Sequence, residues 1–416
     1  MKWALVIGTV AVLALGLGGT AYAFHSGGVA ECEGCHSMHN PAAGGSNLLV
    51  GATKSATCLS CHENSSDTGP SSYHVSTAGT TITGLPLQRT PGGDFGWLKK
   101  TFTYTYSGTT TNETGGGHNI VAPDLGYAAA GGTAPGGTFP ASNLHCNSCH
   151  DPHGKFRRVD TGEIVTTGKP IKGSGSYNGA SNEPTATAAV GVYRLLGGSG
   201  YQAGGTTIGF TGVPAAKAPS TFNQTEATNQ VRVAYGVKTT QGHVSWSNWC
   251  ATCHTDMHST GSYVHPTDQA LGATVIANYN AYVKSGDMTG TSASAYLTLT
   301  PFATNSGDYT VLAPLASNTT ATSAGPSSGD QVICLSCHRA HASGFSHSLR
   351  FDQGYEFMTK GGQYIGSDNP EVTGSRAPLQ HRGRDNAAWT AAYYERPATQ
   401  FATYQRVLCN KCHAKD

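Results

Sequence analysis

The sequence predicts a chain of mostly irregular backbone with short helices and few strands, wrapped around something it binds. Three observations predict this. Of 416 residues 55 are glycine and only 12% are charged, half the usual share. Helical patterning is short, confined to the surroundings of the cysteines and to 269–284 and 387–394. Between these lie stretches rich in Gly, Ser, Thr and Asn, such as 108–117 and 197–205. The third observation is 12 Cys and 18 His in a chain whose hydrophobic types make up 38%. So low a charge excludes a coiled coil, and 25 basic residues against 24 acidic ones leave no basic face for nucleic acid.

The amino terminus reads as an export signal. Lys2 precedes an apolar run over 4–17 and the small-residue site Ala21-Tyr22-Ala23. The run falls short of the ~20 residues that span a bilayer, so residues 1–23 are expected to be cleaved. The mature chain, 24–416, is expected to be exported and soluble, a single domain with no membrane span.

The cysteines fall into six Cys-x-x-Cys pairs, each followed by histidine: Cys32, Cys35 and His36; Cys58, Cys61 and His62; Cys146, Cys149 and His150; Cys250, Cys253 and His254; Cys334, Cys337 and His338; Cys409, Cys412 and His413. C-x-x-C-H is the attachment signature of c-type haem, and chance would place His after all six pairs with odds on the order of 10⁻⁸. Two thiols add to the haem vinyl groups, and the following imidazole becomes the proximal ligand of the iron. Zinc would consume two pairs per site with no need of the histidines, and a redox dithiol would occur once. Six covalent haems are expected to form the core of the fold, and the apoprotein to be unfolded.

Twelve further histidines can supply the second axial ligand, whereas the mature chain has only four methionines. Six bis-His, low-spin haems of low potential are therefore expected. The sharpest candidates are His39, His153 and His341, each three residues after a proximal histidine. At i and i+3 two side chains stand side by side on one turn, so the second must reach a different haem. Three more ligands are expected among His25, His74, His118, His145, His258 and His265. His243, His347 and His381 are the weakest candidates. The x-x-His extension alternates along the motifs, suggesting three haem pairs over 24–140, 141–300 and 301–416.

With these motifs in place, the chain resembles the OmcS-type hexahaem cytochromes, extracellular conducting filaments of metal-reducing bacteria. The resemblance rests on 24–40 (FHSGGVAECEGCHSMHN), 68–78 (TGPSSYHVSTA), 91–97 (PGGDFGW), 144–155 (LHCNSCHDPHGK), 334–345 (CLSCHRAHASGF) and 404–416 (YQRVLCNKCHAKD). It implies a linear stack of bis-His haems running through a homopolymer, in which the histidine matching His39 ligates the fifth haem of an adjoining protomer. It also implies electron-donor cytochromes upstream and extracellular acceptors such as metal oxides downstream. On this reading the chain is an electron conduit, not an enzyme. The alternatives are a monomeric periplasmic shuttle and a multihaem reductase. A reductase needs an iron with an open position, and all six motifs here end in histidine.

Overall fold

The structure, a computed structural model, describes residues 32–43, 46–69, 72–179, 182–219, 233–258, 265–293, 295, 299–316 and 325–413. The signal segment 1–23 and His25 lie outside the described residues. Each motif is one tight turn. The histidine N–H returns to the carbonyl of the first cysteine in His36→Cys32 (2.8 Å), His150→Cys146 (3.1 Å), His254→Cys250 (3.2 Å), His338→Cys334 (2.9 Å) and His413→Cys409 (3.2 Å). This i→i+4 closure sets two thiols and an imidazole at one fixed spacing. The second motif lies inside the longer helix Lys54–His62, whose first turn is capped by the Thr53 side chain. The fourth begins in Trp246–Ala251, capped by Ser245.

The expected helices near 269–284 and 387–394 are present as Ala273–Ala281 and Asn386–Ala392, the latter capped by Asp385. Strands are short. One four-stranded sheet runs His243–Val244, Val213–Lys217, Ala234–Gly236, Ala303–Thr304; another runs Ile164–Val165, Arg157–Arg158, Ala189–Gly191, Ile171–Ser174. The stretch 108–117, read as irregular from its composition, is instead partly a hairpin. Phe102–Tyr106 pairs with Thr109–Glu113 in register Phe102↔Glu113 to Tyr106↔Thr109. Ser107 and Gly108 both take positive φ, the two-residue turn whose twist matches the strands, and alternating Thr and Tyr supply the β preference that glycine counting obscured.

The protein's own apolar packing is larger than the composition suggested. Trp97, Phe345, Phe351, Tyr364, Trp389, Tyr393 and Phe401 form a buried aromatic cluster against which Cys337 and Cys409 pack. A second cluster joins Phe156, Tyr193, Tyr235, Trp246 and Ile333, and a third, around Phe95 and Tyr127, meets Cys146. The cores therefore seat directly on the motifs.

Candidate metal centres

Five of the six C-x-x-C-H histidines are oriented by backbone carbonyls. Nδ1 bonds the carbonyl of Asn47 in His36 (2.8 Å), of Tyr73 in His62 (2.8 Å), of Arg194 in His150 (2.7 Å), of Pro135 in His254 (2.8 Å) and of His347 in His338 (2.7 Å). An Nδ1–H committed to a carbonyl fixes the tautomer that presents Nε2 to a metal. His347, a weak ligand candidate, thus takes part through its carbonyl.

Four proximal rings face a second imidazole: His36 with His153 at 6.4 Å between centroids, His150 with His341 at 6.5 Å, His254 with His118 at 6.0 Å and His413 with His265 at 6.2 Å. With metal–nitrogen bonds of about 2 Å and a ring centroid about 1 Å beyond the nitrogen, two axial imidazoles on one metal stand roughly 6 Å apart. The residues present therefore fit an iron between each pair. In every pair the two histidines come from different motif regions.

His341 is seated with care. Its N–H donates to the Gly92 carbonyl (2.7 Å), and the Phe95 ring stacks on it at 4.6 Å. Gly93 has φ 98°, and a Cβ there would fall 1.8 Å from the Ala342 carbonyl oxygen. This gives the 91–97 stretch a physical role that its sequence alone did not reveal. Burial pushes the His341 imidazole down to about 3, and it lowers His62, His118 and His338 too; neutral imidazole is the ligating form.

The remaining candidates differ. His74 is buried, with Nδ1 at 2.9 Å from the Ser72 hydroxyl and 3.3 Å from Asp67. His145 bonds the Ser55 hydroxyl at 3.3 Å. His258 has both nitrogens engaged, Nδ1 with Thr267 (3.1 Å) and Nε2 with Asp268 (3.4 Å). His243 bonds two carbonyls, Val213 and Gly162, each at 3.1 Å. The His381 Nδ1 accepts from the Gly383 N–H. His39 is exposed, as is Met38 beside it.

Consecutive motifs are neighbours in space. Cys58 lies beside Cys146, and Cys250 beside Cys334. Cys35 lies within electrostatic reach of Cys58 and Cys61, Cys149 of Cys253, and Cys337 of Cys409 and Cys412. The six attachment sites thus succeed one another in chain order, first to sixth. None of the twelve cysteines forms a disulfide, and among the described residues no three His, Cys, Asp or Glu side chains gather to hold a metal ion.

The chain is similar to known proteins over nearly its whole length. The chain is 53% identical over 425 aligned residues to the C-type cytochrome OmcS of Geobacter sulfurreducens, covering 95% of each. It belongs to the OmcS family. A cryo-EM structure of OmcS nanowires from Geobacter sulfurreducens superposes with TM-score 0.82 at 50% identity, and an Outer Membrane Cytochrome S filament from the same organism with 0.83 at 52%; each comparison covers 94% of this chain and all of the other. No family model matches the chain. The OmcS-type fold of short helices and small sheets is the one expected from sequence. No helix among the described residues is long and apolar enough to cross a membrane.

What sequence reasoning missed is a local turn in this OmcS-family chain, used three times. Ser46-Asn47-Leu48-Leu49, Tyr193-Arg194-Leu195-Leu196 and Ser346-His347-Ser348-Leu349 each end in a buried leucine bridged to a proximal histidine: His36↔Leu49, His150↔Leu196 and His338↔Leu349. The spacing from each histidine varies, which hides the repeat.

Proposed function

We propose that the chain is the subunit of an extracellular, electron-conducting filament, carrying six covalent c-type haems with two histidines on each iron. The observation that carries this is the set of four imidazole pairs at axial-ligand spacing, strung along six motifs that neighbour one another in chain order. When bound, the haems supply the one-electron chemistry; the protein fixes their order, spacing and ligands.

The pairs suggest a rule for the rest. His341, after motif five, faces His150 of motif three, and His153, after motif three, faces His36 of motif one. One more step back takes His39, after motif one, to a haem two places earlier, which belongs to the neighbouring protomer. Among the described residues no second imidazole is paired with the ring of His338, so the fifth haem is the matching partner. The even haems run the other way. His118, after motif two, faces His254 of motif four, and His265, after motif four, faces His413 of motif six. By this order the second haem, on His62, takes a histidine lying ahead of motif one, which is His25. The engaged nitrogens of His258 leave it a supporting role. Export by cleavage after Ala23 and donor and acceptor partners at the cell surface complete the reading. With every iron closed by two histidines, the chain has no site for a reductase.

His39→Ala tests the proposal. Expected are five low-spin haems, one open or water-ligated haem that binds carbon monoxide when reduced, and lost or shortened filaments under negative stain. Parent-length filaments with six low-spin haems would overturn the assignment.

A further inference from the structure

We propose that the turns at 47–48, 194–195 and 347–348 are positioning elements that lock the proximal imidazoles of haems one, three and five. They would divide the six haems into two alternating classes of ligand environment. The inference rests on the hexahaem reading above.

In each turn two successive residues are left-handed: Asn47 and Leu48 (φ 60° and 60°), Arg194 and Leu195 (47° and 52°), His347 and Ser348 (57° and 57°). In an extended strand successive carbonyls point to opposite sides. A left-handed pair, like a helical turn, sends them to the same side. Here the first carbonyl takes the imidazole Nδ1, at 2.8, 2.7 and 2.7 Å. The second accepts the N–H of the residue after the histidine: Leu48 from Ser37, Leu195 from Asp151 and Ser348 from Arg339, each at 2.7 Å. A third bond closes the frame. The residue after the buried leucine donates to the carbonyl of the second cysteine: Val50 to Cys35 (3.0 Å), Gly197 to Cys149 (2.8 Å) and Arg350 to Cys337 (2.8 Å). Rotating the ring breaks the first of these bonds, and the two backbone bonds hold in place the carbonyl that it faces.

The second and fourth sites differ. His62 and His254 bond the carbonyls of Tyr73 and Pro135, and neither of those residues has positive φ. L-residues disfavour the left-handed region, Leu more than Asn, so the frame holds a conformation the side chains oppose. A firmly held Nδ1–H···O=C bond makes the imidazole a stronger donor to iron, which favours the ferric state. Loosening the frame should therefore raise the potential of that haem and turn its imidazole plane.

Leu48 gives the cleanest test, because its side chain is half exposed and packing changes little. Leu48→Val penalises the left-handed backbone through β-branching, whereas Leu48→Gly removes the penalty. In purified full-length filaments, six haems by pyridine haemochrome assay would check the underlying reading separately. Expected in Leu48→Val are an upward shift in the midpoint potential of one haem in six and a change in one low-spin EPR signal. Leu48→Gly should match the parent. Ser348→Val and Ser348→Gly repeat the test at the fifth haem. Loss of a haem in the Val variants alone would also support the turn as the element that holds the ring. Parent potentials and spectra in both Val variants, or equal change in Val and Gly variants, would overturn the proposal.

Discussion

Around the fifth motif Leu335, Ser336, Arg339, Leu349 and Arg350 are buried, and Cys337 packs on the aromatic cluster of Trp97, Phe345 and Trp389. Around the first motif Cys32, Glu33, Met38 and His39 are exposed, and Leu49 alone of the corresponding residues is buried. Yet both motifs use the same closing turn and the same His-x-x-His spacing. Local structure is therefore set by the motif and its turn, while burial is set by the chain packed over them. After the fifth motif come more than sixty residues that build a core. On the proposed filament reading, the neighbour would supply to the first motif what the aromatic cluster supplies to the fifth.

The largest expected effect comes from removing a haem at each end. Cys334→Ala with Cys337→Ala should abolish the folded protein, because the aromatic cluster and the third-haem ligand His341 lose their anchor. Cys32→Ala with Cys35→Ala should leave a soluble five-haem protomer that does not polymerise. Yield and haem stoichiometry after periplasmic maturation measure both; equal survival of the two variants would break the comparison. Next in size is Trp389→Ala. Its side chain is fully buried, 1% exposed, with rings of Phe345 and Tyr393 against it. Loss of about 3–5 kcal/mol is expected for a buried Trp→Ala, read as a lower denaturation midpoint of disassembled subunits.

Much of this was legible in the sequence. The six C-x-x-C-H repeats point to covalent haem without any fold, because covalent attachment needs contiguous residues; six haems on the six following histidines are the proposed reading. The helical turn assumed for His36/His39, His150/His153 and His338/His341 is not formed, since each short helix ends before the first histidine; three residues of chain, at most about 11 Å when extended, still argue against a shared iron. The lone distal histidines were not legible. His118 and His265 look no different in sequence from His74 or His258; what separates them is a partner brought from over a hundred residues away. The closing turns were hidden for a related reason. Asn47, Arg194 and His347 act through their carbonyls, so side-chain identity says nothing of the role. The aromatic core was underestimated because five Trp among 416 residues weigh little in composition and much in packing.

His243 offers a smaller effect at neither end. It is buried in the sheet between the third and fourth motifs, and burial pushes its imidazole down to about 4. A depressed folded-state value means that the unfolded chain binds the proton first. The stabilisation is complete above the ordinary value near 6.5 and is lost as pH falls toward 4. The shift corresponds to about 3 kcal/mol. His243→Gln should therefore flatten the acid limb of stability between pH 6.5 and 4. An unchanged limb would place the acid sensitivity elsewhere, for instance in the carboxylates of the aromatic lobe.

The smallest effect should fall at Met38, and it bears most directly on the contrast between the two ends. Its side chain is 79% exposed, the most exposed large hydrophobic among the described residues, and it adjoins His39. A methionine fully buried against a partner contributes about 1.5–3 kcal/mol, and partial burial roughly half of that. Met38→Ser should leave the disassembled protomer unchanged within about 0.5 kcal/mol, the usual range for a surface substitution. It should raise the concentration needed for assembly about fivefold, since 1 kcal/mol is worth about that factor. All six haems should stay low-spin in the assembled fraction, because His39 is intact. Light scattering against subunit concentration measures this. An unchanged assembly threshold would mean that the neighbour covers the first motif elsewhere, and that His39 reaches the adjoining haem without apolar help from the residue beside it.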